Sequence, residues 1–293
     1  MKSRVALAPD SLWRAVRARS AAALAAGALL PIETSVQEEE EGGIRFQLRV
    51  ATNREGKARA KAQRPPGFDP FLPWDPALFV ADVSDSYVCL LNKFPALPHH
   101  ALLTTRAFAE QEDPLGPRDF EALWACLAEA PALGFYNAGK LAGASERHRH
   151  LQLVPPLGSE GRSAPIDAAL EAARFDGPVG SAPGLPFLHA LARLRELADL
   201  PQGAAAEALA ALYREMARAF GCHRAGRPYN LLVTREWMLF VPRSREKWQG
   251  ISVNSLGFAG ALLVKSLADL ARVRAAGPLA VLRHVGVASQ AED

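Results

Sequence analysis

The chain has 293 residues, 49% of them hydrophobic, which is enough apolar material for a sizeable core and excludes a mainly disordered protein. A formal net charge of +3 is too small to mark a nucleic-acid-binding protein, so any electrostatic function must be local. Three scattered cysteines, with no CxxC pair, imply no disulfide framework.

From the amino terminus, an amphipathic helix is expected from about Asp10, with Asp10 or Ser11 as its cap. The apolar run Ala21 to Leu30 behind Arg14, Arg17 and Arg19 imitates a signal peptide, but at about ten residues it is too short to span a bilayer. It leads into Pro31 and the acids Glu38 to Glu41, so no membrane association and a cytoplasmic location are expected. Alternation of Ile44, Phe46, Leu48 and Val50 predicts a half-buried strand. Arg54, Lys57, Arg59, Lys61 and Arg64 follow beside a single acid, Glu55; this is either a solvated loop or a set of point charges for a polyphosphate.

Val88 to Leu91 and Ala101 to Thr105 read as two further strands, and Pro117 to Ala130 as a helix with Phe120, Leu123, Trp124 and Leu127 on one stripe. His99 and His100, between Pro98 and the second of these strands, read as structural. Phe135 to Asn137 returns the chain to the sheet beside that helix. Pro155 to Gly184, rich in Gly, Pro, Ser and Ala around a short helix at Asp167 to Ala173, reads as a linker or lid. Beyond it come a helix at Ala204 to Phe220, a hairpin of Asn230 to Thr234 with Met238 to Val241, and a last long helix at Phe258 to Val273. Trp237 and Phe240 in that hairpin read as core. The mixture predicts an α+β fold with an antiparallel sheet flanked by helices, divided into residues 1–184 and a carboxy-terminal region, 185–293.

The chemistry concentrates in His148-Arg149-His150-Leu151-Gln152, which follows Gly143-Ala144-Ser145. On a strand, spacing two puts both imidazoles and the amide on one face, a row able to hold a phosphate. Neutral imidazole can attack phosphorus, and a covalent intermediate divides one hard displacement into two easier ones. If His150 attacks, Gln152, Ser145 and the loop amides near Gly143 are available donors to the charged oxygens, and His148 braces the loop or the ring. A zinc site would need third and fourth ligands that the chain does not supply in any recognisable spacing. Asn92 and Asn137 end strands, where Asn is often a turn residue. Asn254 opens a helix whose free amides either meet phosphate or only cap.

Leu90-Leu91-Asn92-Lys93-Phe94-Pro95, Phe135-Tyr136-Asn137-Ala138-Gly139, Gly143-Ala144-Ser145 and His148-x-His150-x-Gln152 resemble, in order, the diadenosine tetraphosphate phosphorylases, or ATP adenylyltransferases. These are histidine-triad proteins of the branch that includes galactose-1-phosphate uridylyltransferase. The resemblance implies a histidine-triad-like antiparallel sheet and phosphorolysis of a dinucleoside tetraphosphate by orthophosphate to ADP and ATP, through a nucleotidyl group on His150. It implies catalytic roles for His150, His148 and Gln152, and substrate contacts from Lys57, Asn92, Asn137, Gly143, Ser145 and Asn254. It also implies Mg²⁺ or another divalent cation bound mainly through the substrate phosphates, with no resident protein metal site. Gln152 stands where hydrolase-like relatives place a third histidine, which points to transfer.

Three positions depart from the family pattern, one of them Arg149, which stands between the two histidines where Lys is frequent. Glu146 stands where Gln is common: on an extended strand it would repel polyphosphate, whereas in a loop it is harmless or could hold a divalent ion. Asp69 replaces the Asn of an Asn-Pro-Phe-Leu-Pro block, a change that keeps a turn-starting residue. Two other functions stay open at this level, a sugar-1-phosphate nucleotidyltransferase of the same superfamily and a non-catalytic nucleotide-binding sensor.

Overall fold

A computed structural model describes residues 7, 8, 10–53, 64, 65, 67–159 and 161–289. The expected first helix is α1 (Leu12–Ala25). Ser11 occupies its N-cap position, but the cap comes from elsewhere: the Glu129 carboxylate accepts from the backbone of Ser11 at 2.8 Å and Leu12 at 3.2 Å. The chain then forms an antiparallel hairpin, β1 (Thr34–Glu41) and β2 (Ile44–Ala51), turning at Gly42 and Gly43. The acid run Glu38 to Glu41 is thus the solvent-side edge of a sheet, where charge discourages pairing with other chains.

Next come β3 (Phe79–Asp82), β4 (Tyr87–Leu91), β5 (Ala101–Thr105), α2 (Pro117–Glu129), β6 (Leu133–Ala138) and β7 (His150–Val154). The segment expected to be a linker or lid holds α3 (Asp167–Leu170), β8 (Arg174–Phe175) and β9 (Val179–Ser181). It is no lid: Ala164, Ile166, Leu170 and Ala182 are buried in a core cluster, and β8 and β9 form one edge of the main sheet. Small residues there serve tight packing as well as turns.

The rest comprises β10 (Ala190–Arg193), α4 (Gln202–Ala219), β11 (Tyr229–Val233), β12 (Trp237–Pro242), the short pair β13 (Lys247–Trp248) and β14 (Ile251–Ser252), α5 (Ser255–Phe258), β15 (Ala261–Val264), α6 (Leu267–Ala276) and α7 (Pro278–Val285). The single long helix expected at Phe258 to Val273 is therefore wrong. Gly260, at φ +97° with its Cα against Pro165, ends α5, and Ala261–Val264 pairs in parallel with β2. A short apolar run bounded by Gly does not by itself distinguish strand from helix, and here an open edge of β2 decided it.

Ten strands form one antiparallel sheet in the order β3-β4-β5-β7-β6-β11-β12-β10-β9-β8. Because β6 pairs with β11, residues 1–184 and 185–293 share this sheet. One face packs under α1, α2 and α4 through Leu103, Leu151, Leu153, Tyr136 and Phe240. Part of the other packs against the three-stranded sheet β1-β2-β15, through Phe135, Leu232, Leu239, Phe46 and Leu48. Trp237 and Phe240 are buried, as the sequence predicts. Among the described residues no helix is long and apolar enough to cross a membrane.

On the helical face, Arg149 pairs with Asp119 at 3.2 Å, and Asp119 also accepts from the Tyr87 hydroxyl and the Gly116 amide. Both ions are nearly buried, at 12% and 6% side-chain exposure. Asp119→Ala should therefore lower stability by about 3–5 kcal/mol, because the guanidinium is left without its counter-charge. Urea denaturation measures this, and a wild-type midpoint would count against the pair's structural role.

Candidate active site

Alternation along β7 sends Leu151 and Leu153 under the helices and leaves His150 and Gln152 on the opposite face. There they line a cavity of about 1350 Å³ together with Asn92, Asn137, Gly143, Ser145 and Asn254. Lys57 lies outside the described residues. His148 is placed differently from the expectation. It precedes β7, does not line the cavity, and is only 2% exposed.

The His148 ring is held at both nitrogens. Nδ1 donates to Asp69 Oδ2 at 2.7 Å, and Nε2 meets the Thr105 hydroxyl at 2.8 Å and carbonyl at 2.9 Å. Asp69 also keeps its turn, with Oδ1 accepting from the Phe71 amide at 2.9 Å. Phe71 packs on both imidazoles, at 5.6 Å and 5.2 Å between ring centroids.

The backbone carbonyl of His148 lies 2.8 Å from His150 Nδ1. A carbonyl only accepts, so Nδ1 carries the proton and Nε2 keeps its lone pair. Burial drives the His150 pKa below its ordinary 6.5, opposed by the His148 carbonyl and the Glu146 charge. The ring is neutral near pH 7, fixed in one tautomer, and part of the cavity wall.

Gln152 is oriented by a second chain of contacts. The Phe94 amide donates to Asn92 Oδ1 at 3.1 Å, which turns the Asn92 amide nitrogen toward His100 Nδ1 at 3.2 Å. His100 Nε2 then carries the proton and donates to Gln152 Oε1 at 2.9 Å. The amide nitrogen of Gln152 is left as a donor for the cavity. His100, read as structural from sequence, is thus part of the site, and its place between an Asn and a Gln was invisible in the chain order.

The β6–β7 ladder ends at Phe135 and Gln152, and beyond it the Gln111 side chain bridges the strands. Its Oε1 accepts from the His150 amide at 2.8 Å, while Nε2 donates to the carbonyls of Asn137 at 2.9 Å and His150 at 3.2 Å. Asn137 Oδ1 accepts from Asn230 Nδ2 at 2.8 Å and the Ser255 amide at 2.9 Å, with the Ser255 hydroxyl at 2.7 Å. Only the Asn137 amide nitrogen remains for a ligand. Asn254 caps α5 by accepting from the Leu256 amide at 3.1 Å.

Gly143 has φ +91°, and a Cβ there would sit 2.8 Å from both Asn254 Cβ and the Val253 carbonyl, so the loop could not approach α5 with a larger residue. The buried Arg243 ties the same wall together, donating to Asn230 Oδ1 at 2.5 Å, the Val253 carbonyl at 2.9 Å and the Ala142 carbonyl at 3.3 Å. Burial lowers its pKa to about 9. Gln111, Asn230 and Arg243 were missed by sequence reasoning, since each acts on residues distant in the chain. Glu146 lies in the loop rather than on β7 and is paired with Arg64 at 2.7 Å, which offsets its charge at the cavity wall. Among the described residues no group of three or more His, Cys, Asp or Glu side chains converges to hold a metal ion.

Comparison with known proteins agrees across the chain. An Ap4A phosphorylase N-terminal domain matches residues 2–172, and an ATP adenylyltransferase C-terminal domain matches residues 183–288. Diadenosine 5',5'''-P1,P4-tetraphosphate phosphorylase 2 of Saccharomyces cerevisiae is 28% identical over 226 residues, covering 67% of this chain and 69% of the relative. Protein APA1 of the same yeast is 28% identical over 232 residues, covering 70% and 71%. The crystal structure of yeast Ap4A phosphorylase Apa2 in complex with Ap4A has the same fold, with a TM-score of 0.79 at 23% identity over 97% of this chain and 100% of that one. The AMP complex of Apa2 gives 0.78 at 22% identity over 98% and 100%.

Because burial disfavours the imidazolium, the NMR titration of the His150 ring should have its midpoint below 6.5. The sign for stability follows: unfolded His150 takes up a proton near its ordinary pKa and the folded ring resists. The neutral ring's contribution is therefore complete above that value and declines as the pH falls through the window below it. A midpoint at or above 6.5 would contradict a desolvated, neutral ring.

Proposed function

The chain belongs to the Ap4A phosphorylase family and is a nucleotidyltransferase, and we propose that His150 carries its reaction by taking a nucleotidyl group onto Nε2. The hydrogen bond from His150 Nδ1 to the His148 carbonyl carries this reading, because it leaves Nε2 with its lone pair on a ring that lines the cavity. The Nε2 lone pair attacks the phosphorus at one end of a dinucleoside tetraphosphate. The bond from that phosphorus to the bridging oxygen breaks, and the oxygen departs with ATP. The ring, now positively charged, keeps its Nδ1 proton on the His148 carbonyl. An orthophosphate oxygen then attacks the same phosphorus, the P–N bond breaks, ADP forms, and Nε2 recovers its lone pair. The reverse direction uses the same groups.

Three side-chain donors serve the charged oxygens, the Gln152 amide nitrogen, the Ser145 hydroxyl and the Asn137 amide nitrogen, whereas the amides of Ala142, Gly143 and Ala144, expected to help, are taken up by the Gly139 and Lys140 carbonyls within the loop. Asn92 acts through His100 to aim Gln152, Asn254 borders the phosphate side of the cavity, and Lys57 supplies charge to the polyphosphate. His148 is a positioning residue, its ring fixed by Asp69 and Thr105 so that its carbonyl stays on His150. An amide does not titrate near pH 7, so Gln152 cannot serve as a general base for water, which favours orthophosphate as acceptor. Mg²⁺ or another divalent cation would arrive on the substrate. A hard cation held by phosphate oxygens and water needs few protein ligands. Bound there, it would offset polyphosphate charge.

Incubation of the protein with Ap4A and Mg²⁺ should give ADP and ATP only when orthophosphate is present, resolved by ion-exchange chromatography. AMP and ATP without orthophosphate, or no turnover, would contradict the assignment. In the same assay Gln152→His should release some AMP by hydrolysis, and unchanged product ratios would show that residue 152 does not set the acceptor.

A further inference from the structure

The cavity has a second wall, formed by the three-stranded sheet. Along β2, Phe46, Leu48 and Val50 enter the core, which puts Gln47 and Arg49 on the other face. Arg49 is in register with Leu263 of β15, and Arg49, Leu263 and Lys265 all border the cavity.

The guanidinium of Arg49 is incompletely satisfied. Its Nη2 donates to Gln47 Oε1 at 2.9 Å, and Gln47 is itself fixed by donating to the Leu157 carbonyl at 2.7 Å. Nε is buried with no hydrogen-bond partner, and no carboxylate pairs with Arg49 among the described residues. Its neighbours in kind are different. Arg64 has Glu146, Arg149 has Asp119, and Arg243 is surrounded by carbonyls. Burial also lowers the Arg49 pKa, a sign that the charge is poorly compensated. Nε is closed off and Nη2 is engaged, so Nη1, which has no hydrogen-bond partner among the described residues, is the donor left beside the cavity, and a partly desolvated cation there is completed by an anion such as a phosphate oxygen.

We propose that Arg49 binds the phosphates of the departing polyphosphate chain, those beyond the phosphorus that His150 attacks. His150 stands on the ten-stranded sheet and Arg49 on the three-stranded one, so the two grip different parts of one ligand. This role rests on the nucleotidyl-transfer reading of the cavity. It makes Arg49 a determinant of phosphate-chain length: ligands with one phosphate do not need it, and those with three do.

The test is calorimetric titration of the full chain with AMP, ATP and inorganic tripolyphosphate, in the wild type, Arg49→Gln and Arg49→Lys. Arg49→Gln should weaken ATP and tripolyphosphate by about ten-fold or more, the size of a lost charge-assisted contact, and leave AMP within about two-fold. Arg49→Lys should recover part of the loss. An equal loss for AMP would mean a structural role, and undiminished tripolyphosphate binding would mean no contact; either overturns the proposal. Failure of the functional reading looks different. In that case the wild type would not convert Ap4A, yet its tripolyphosphate binding would still depend on Arg49.

Discussion

The hydrogen bond between His150 Nδ1 and the His148 carbonyl is the constraint on which the rest of this site depends. It is a contact between residues two apart, yet it sets which nitrogen bears the proton and which keeps its lone pair. Without it either tautomer would be available, and rings protonated at Nε2 would offer the cavity an N–H instead of a lone pair. The carbonyl stays in place because the His148 ring is locked between Asp69 and Thr105, and because Gln111 grips the His150 backbone on the other side. Buried polar groups on this scale tolerate little disorder, since each unpaired one costs about 1–3 kcal/mol.

The same economy of contacts shapes the donors. Asn92, His100 and Gln152 sit on three neighbouring segments, and each group's orientation is dictated by the one before, starting from a backbone amide that can only donate. Asn137 is fixed by Asn230 and Ser255, and Asn230 by Arg243, so the carboxy-terminal part of the chain builds one side of a cavity to which the amino-terminal part contributes His150 and Gln152. The shared ten-stranded sheet makes this possible, with β6 and β11 adjacent.

Much of this was legible in the sequence. The alternation of His150 and Gln152 with Leu151 and Leu153 announced a polar face opposite an apolar one, without showing that His148 lies before β7 and outside the cavity, and the stripe of Phe120, Leu123, Trp124 and Leu127 announced the helix on the apolar side. Local signals failed where a distant partner decided the outcome. Ala261–Val264 became a strand because β2 offered an edge, and the Glu-rich β1, poor in strand-forming residues, formed because it closes a hairpin on that same strand. His100, Gln111, Asn230 and Arg243 carry no motif of their own; their meaning lies in contacts across dozens of residues. Asp69 was legible as a turn residue, but its second oxygen, on His148, was not.

Nucleotidyl transfer through His150 is tested most directly by trapping the intermediate. The protein would be mixed with Ap4A in the absence of orthophosphate, quenched under denaturing conditions and digested, and the peptide containing His150 weighed by mass spectrometry. A covalent mass increase of one adenylyl group on His150, absent from His150→Ala and discharged to ADP by orthophosphate before quenching, is the predicted result. Turnover of Ap4A by the wild type with no adduct at any time, or turnover retained in His150→Ala, would contradict it.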